Sequence, residues 1–176
     1  MAPRDRIGPA LGMVLEGLKL ARRELAGCET EPPRERWVAV GLISALQAGL
    51  AAALSGYESA AEADIADPSQ PDRVGPVALL LRRARSAEYL NPPERLELSG
   101  RDLKQIETVI GARNAVLHGL GPATDLPVNE AYGSILQVLQ QVCLTHPAFP
   151  VGEHGVILVL IRDEISALQR LLGRVG

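Results

Sequence analysis

The chain is poor in aromatic rings, with one Trp, one Phe and three Tyr in 176 residues. That scarcity excludes the stacking platform that single-strand nucleic-acid binders use. Cysteine is as scarce: Cys28 and Cys143 lie far apart, neither with a companion at a metal-ligand spacing. Neither a zinc site nor a disulfide framework fits, and both thiols read as small core residues in a reducing compartment. Positive charge is not in excess. Eighteen Lys and Arg against 21 Asp and Glu give a net charge of −3, so a global attraction to nucleic acid is missing. There is no phosphate-cradling glycine loop, no nucleophile elbow and no internal repeat, so no cofactor and no metal are expected. Residues 1–27 alternate apolar and charged groups without a continuous apolar segment. No signal peptide is read there, and a cytoplasmic location is the expectation.

What the chain does have is a single domain's worth of apolar residues, 47% of the total against 22% charged, over a length too short to suggest two domains. A helical period runs through most of it. Leu11, Val14, Leu15, Leu18 and Leu25 share one face of a first helix that Gly27 ends. Thr30-Glu31-Pro32-Pro33 opens a second. From Trp37 to Leu54 there is no charge, a run long enough to raise a membrane span. Ser44, Gln47 and the many Gly and Ala instead fit a central bundle helix that its neighbours approach closely, and no membrane association is expected. Residues 56–76 lack a period and carry three X-Pro pairs, which reads as a flexible loop. Val77 to Leu90 predicts a third helix. Asn129 is a natural cap for a helix through Val142, after an Asp125-Leu126-Pro127 turn. A last helix is expected over 155–172, with Ile157, Leu160, Ile161, Ile165, Leu168 and Leu172 on its apolar face.

The stretch from Ser99 to Gly119 carries the chemistry. Ser99 and Asp102 have the spacing of a capping box, and Leu103, Ile106, Val109, Ile110, Val116 and Leu117 follow the helical period. Gly119, Gly121 and Pro122 supply the stop. Arg113 falls where the stripe calls for an apolar side chain, a position that a charge rarely takes without a partner. Asn114 and His118 are one turn apart on the same face. The three groups can converge on one anion: Arg offers a fork of donors, His exchanges protons near neutrality, and Asn orients the imidazole or donates to the ligand. A plainer reading also stands, in which Arg113 pairs with an acid on a neighbouring helix and His118 caps carbonyls. Arg82, Arg83 and Arg85 are the best candidates for a local RNA-binding patch, with a solvated helix face as the alternative.

Arg113-Asn114-Ala115-Val116-Leu117-His118 resembles the Arg, polar residue, spacer, His signature of the HEPN family of all-helical proteins. The resemblance implies a bundle with the signature on a late helix, and a homodimer that brings two copies of the signature together. Active members of that family are metal-independent endoribonucleases. Carried onto this chain, Arg113 stabilises the phosphate, Asn114 fills the polar position and His118 handles a proton. A toxin or phage-defence role, with an antitoxin or other protein partner, follows from the resemblance alone. The expectation is therefore an all-α, antiparallel bundle of five to six helices spanning 1–176, with the motif helix packed centrally. Two functions remain in view: a dimeric RNase, or a non-catalytic helical module for protein interaction or nucleotide binding.

Overall fold

The computed structural model describes residues 3–57, 59–119 and 128–175. Among them are six α-helices: α1 (Ile7–Gly27), α2 (Glu35–Gly56), α3 (Val77–Ala84), α4 (Gly100–Leu117), α5 (Val128–Gln140) and α6 (Gly155–Val175). Two short strands, β1 (Ala66–Asp67) and β2 (Gln70–Val74), pair antiparallel. The all-α class is as expected.

The uncharged helix α2 is the one at the centre, and α1, α3, α4 and α5 all pack on it. It is the one helical segment among the described residues that is long and apolar enough to cross a membrane, but 78% of its apolar window is buried by the rest of the fold. Small residues let α1 cross it closely. A Cβ on Gly17 would lie 2.7 Å from the Gly41 carbonyl oxygen, and one on Gly41 would lie 2.7 Å from that of Gly17. Such backbone contact leaves no space for any side chain at either position.

Helix directions alternate only in part. Helices α1 and α2 run antiparallel, since Gly17 meets Ala45 while Gly41 meets Ala21. At the other face Gly8 lies beside His154 and Arg22 pairs with Glu164, so α1 and α6 run the same way. The first turns of α4 and α5 also sit side by side, joined by the Arg101–Glu130 ion pair.

Several expectations need correction. The stretch 56–76 contains a β-hairpin, fastened at its base. Arg83 Nη1 donates to the Asp64 and Ala66 carbonyls at 3.0 and 2.9 Å, Gly75 N–H to the Ile65 carbonyl at 2.7 Å, and Gln47 Nε2 to the Gly75 carbonyl at 2.9 Å. Asp67 Oδ1 accepts from the Ser69 amide and hydroxyl and closes the turn. Most of these partners are distant in sequence, which is why a search for periodicity finds nothing there. Helix α3 stops at Ala84 rather than Leu90: the Ser86 carbonyl accepts from both Tyr89 and Leu90 N–H, and the Ala84 carbonyl from Leu96 N–H. Asn129 lies inside α5 and does not precede it; the expected turn at 125–127, like Gly121 and Pro122, falls outside the described residues. In α6 Ile161, Ile165, Leu168 and Leu172 are buried as expected, but in the first turn the buried residue is Leu158, while Leu160 is 44% exposed. The core stripe of α4 is Ile106, Val109 and Ala112, flanked by half-buried Leu103 and Ile110, and Leu117 is 49% exposed. The motif helix is thus lateral, packed on α2 and α5, and its final turn leaves the core.

Candidate functional site

Both ends of α4 are fixed by local chemistry. At the start, Ser99 Oγ accepts from the Asp102 amide at 3.1 Å and donates to Asp102 Oδ2 at 2.5 Å. Asp102 Oδ1 lies 2.9 Å from the hydroxyl of Ser134, a buried polar residue on α5 that is also 2.7 Å from Gln105 Oε1. Gln105 Nε2 donates in turn to Glu130 Oε2 at 2.9 Å. This polar staple ties the motif helix to α5. Its sequence signal was a Ser in the buried stripe of α5, where an aliphatic residue would otherwise stand.

The staple gives a pH dependence. Hydrogen bonds from Ser99 first, then Ser134, hold the Asp102 carboxyl below its ordinary value. A carboxyl depressed in the folded state contributes stability above its unfolded pKa and loses that contribution as pH falls through the folded one. Asp102→Asn should therefore melt below the parent protein between pH 5 and 7. The gap should close as pH drops below about 4, near the unfolded carboxyl value. Thermal denaturation of both proteins across that range checks it; a gap that widened towards acid would contradict the assignment.

At the other end, His118 leaves helical geometry at φ −98°, ψ 4°, while its N–H still reaches the Asn114 carbonyl at 3.0 Å. Gly119 follows at φ +67°, a left-handed conformation that glycine adopts without strain. Arg113 and Asn114 therefore occupy the last full turn, and His118 sits at the cap. Arg113 is half-buried, and its Nη1 donates to Asn114 Oδ1 at 2.9 Å. Its Nε is shielded from solvent without a hydrogen-bond partner. Among the described residues no carboxylate lies within ion-pair distance of it. The His118 side chain is exposed and makes no hydrogen bond to the other two. A side-chain hydrogen bond thus joins Arg113 to Asn114, and helix geometry places His118 one turn on from Asn114. The expected use of Asn114 to orient the imidazole is not made, because its oxygen faces the guanidinium; its amide N–H groups remain as donors.

The arginines at the end of α3 do not form one patch. Arg82 and Arg85 are exposed, but Arg83 is half-buried, spent on the two hairpin carbonyls, with its guanidinium 5.7 Å from the centre of the Tyr89 ring. Cys143 is fully buried and its thiol is pushed up to about 12 by burial, as suits a core group. Cys28 is half-buried and donates to the Glu24 carbonyl. No group of three or more His, Cys, Asp or Glu among the described residues is arranged to hold a metal. Compared with protein-family models, with curated proteins and with solved structures, the chain has no match.

Proposed function

We propose that the chain is a HEPN-like helical protein acting as a metal-independent endoribonuclease, with Arg113, Asn114 and His118 as its site. The observation that carries the reading is the Arg113 guanidinium: half-buried, braced by Asn114, and without a carboxylate partner among the described residues. Desolvating a charge in that way is costly. The cost is offset when an anion docks, and a phosphate is matched to the unspent edge of the fork. His118, exposed at the end of the same helix, then takes the proton of a ribose 2′-hydroxyl or supplies one to the leaving oxygen. Arg113 stabilises the charge that builds on phosphorus-bound oxygen. The product of such a step is a cyclic phosphate.

A single copy offers one cation and one imidazole. A two-fold pairing of motif ends supplies a second of each, and exposed Leu117, between Asn114 and His118, is an apolar group that such a contact would cover. The homodimer, and an antitoxin or other protein that covers the same end, are parts of this proposal. One observation favours the alternative of a non-catalytic module for protein interaction or nucleotide binding: Arg83 is withdrawn from the presumed RNA-binding patch, leaving only Arg82 and Arg85 on that face.

Cleavage of a mixed-sequence RNA in EDTA separates the two readings. The parent protein should cut, and His118→Ala, exposed enough to fold normally, should be at least about 100-fold slower. Cleavage that required magnesium or survived in His118→Ala would overturn the mechanism.

A further inference from the structure

A second site lies far along the chain from the motif, where α1 ends and the turn before α2 begins. There the fold leaves a cleft of about 830 Å³ lined by Arg23, Glu24, Glu31, Arg34, Arg36 and Trp37, among others. We propose that this cleft binds a small planar aromatic anion of the nucleoside monophosphate class, independently of the chemistry at Arg113.

Its polar wall is constructed rather than incidental. Glu24 is the one buried charged residue among the described residues, its side chain only 9% exposed, and it holds Arg23 Nε at 2.8 Å and Arg34 Nη1 at 3.5 Å. Arg34 is fixed further by a fork onto Glu31, at 3.1 and 3.2 Å. Gly27 makes room for it, since a Cβ there would lie 2.6 Å from Arg34 Cδ. Glu24 is thus a positioning residue that spends its charge on two guanidiniums. Three guanidiniums face two carboxylates in the lining. The donors left over are the terminal nitrogens of Arg23 and all of Arg36, for which no carboxylate is within ion-pair distance among the described residues.

The aromatic requirement comes from Trp37. It is the only Trp of the chain, and 40% of it is exposed although large apolar side chains are normally covered. The Arg36 guanidinium lies 5.7 Å from the ring centre, so cation and ring are presented together. An indole beside an unspent guanidinium suits a ligand with a flat π-face and an anionic group attached. The volume falls in the usual range for small-molecule sites, about 300–1,000 Å³. An inorganic phosphate would use the arginines alone and leave the indole idle; a neutral nucleoside would do the reverse.

Because Trp37 is the sole Trp, its fluorescence reports directly on the site. Adenosine and guanosine 5′-monophosphates, titrated into the full-length protein, should quench it saturably at sub-millimolar concentration. Adenosine alone and inorganic phosphate should each bind at least tenfold more weakly. Arg36→Glu, on an exposed position, should weaken monophosphate binding at least tenfold. Calorimetry should show the same loss in Trp37→Ala, whereas His118→Ala should bind as the parent does. Absence of saturable binding up to several millimolar would overturn the proposal. So would equal binding by phosphate alone, by Arg36→Glu, or by Trp37→Ala in calorimetry. A loss confined to His118→Ala would move the ligand to the motif and overturn it as well. None of these readouts involves RNA cleavage, so this site stands or falls apart from the nuclease reading.

Discussion

Gly41→Val should unfold the protein or lower its stability by about 3 kcal/mol, at the upper end of what overpacking a core costs. The reason is the contact between α1 and α2: each glycine's missing Cβ is replaced by the other helix's carbonyl oxygen at 2.7 Å. Neither obstacle is the mobile end of a side chain that could swing away, so the helices must separate. Separation opens the interface over its whole length, along which Leu11, Leu18, Leu42 and Leu46 are fully buried. Gly17→Ala should act in the same direction and by a smaller amount. Gly133→Ala is the control: a Cβ there meets nothing within 4 Å, and alanine is favoured over glycine in a helix by about 1 kcal/mol. Urea denaturation of the three variants orders them. Near-equal midpoints for Gly41→Val and the control would contradict the packing account.

Arg113→Met should abolish most RNA cleavage, by at least about 100-fold, and leave the fold as stable as before or firmer by about 1 kcal/mol. Both halves follow from one geometry. The guanidinium has a solvent-shielded nitrogen without a hydrogen-bond partner, and an unbranched apolar chain in its place keeps the packing while removing the desolvation cost. A residue kept for function at the expense of stability behaves in this way; one kept for structure does not. If Arg113 served only to hold the fold or a dimer, Arg113→Met would melt lower or dissociate, and sedimentation alongside thermal denaturation would reveal it. The sign of the stability change separates the two readings even in a laboratory that never finds the right RNA.

Much of the scaffold was legible from residue order because its causes are local. Ser99 and Asp102 mark the start of α4 three residues apart, Gly119 marks its end, and the uncharged, small-residue run at 37–54 declares a helix that others surround. The hairpin was not legible, since its fastenings are Arg83 and Gln47, far away in sequence, and the engagement of Arg83 with hairpin carbonyls was hidden for the same reason. The stripe of α4 gave the helix but not its reach: Leu117 obeys the period and still lies outside the core, because period fixes a face and not where the neighbouring helices end. Arg113, Asn114 and His118 were found by type and spacing, while the hydrogen bond between Arg113 and Asn114 depends on side-chain torsions that spacing leaves open. Arg36 and Trp37 are neighbours in the sequence, but the wall they face, Arg23 and Glu24 of α1, is brought to them only by the turn between the two helices.

The hairpin also has a consequence for lengthening the chain. Its fastenings to the rest of the fold, through Arg83 and Gln47, and the Gly75 bond to the Ile65 carbonyl grip the base, while Pro68, Ser69 and the whole of β2 are exposed. An insertion at the tip between Pro68 and Ser69 gives up the exposed hydrogen bonds from Ser69 to Asp67 but disturbs no buried contact, and its loop entropy is about 0.6 kcal/mol for each doubling of length. It is the place where an epitope, a fluorophore or a further domain can be spliced into this protein without the bundle registering the change.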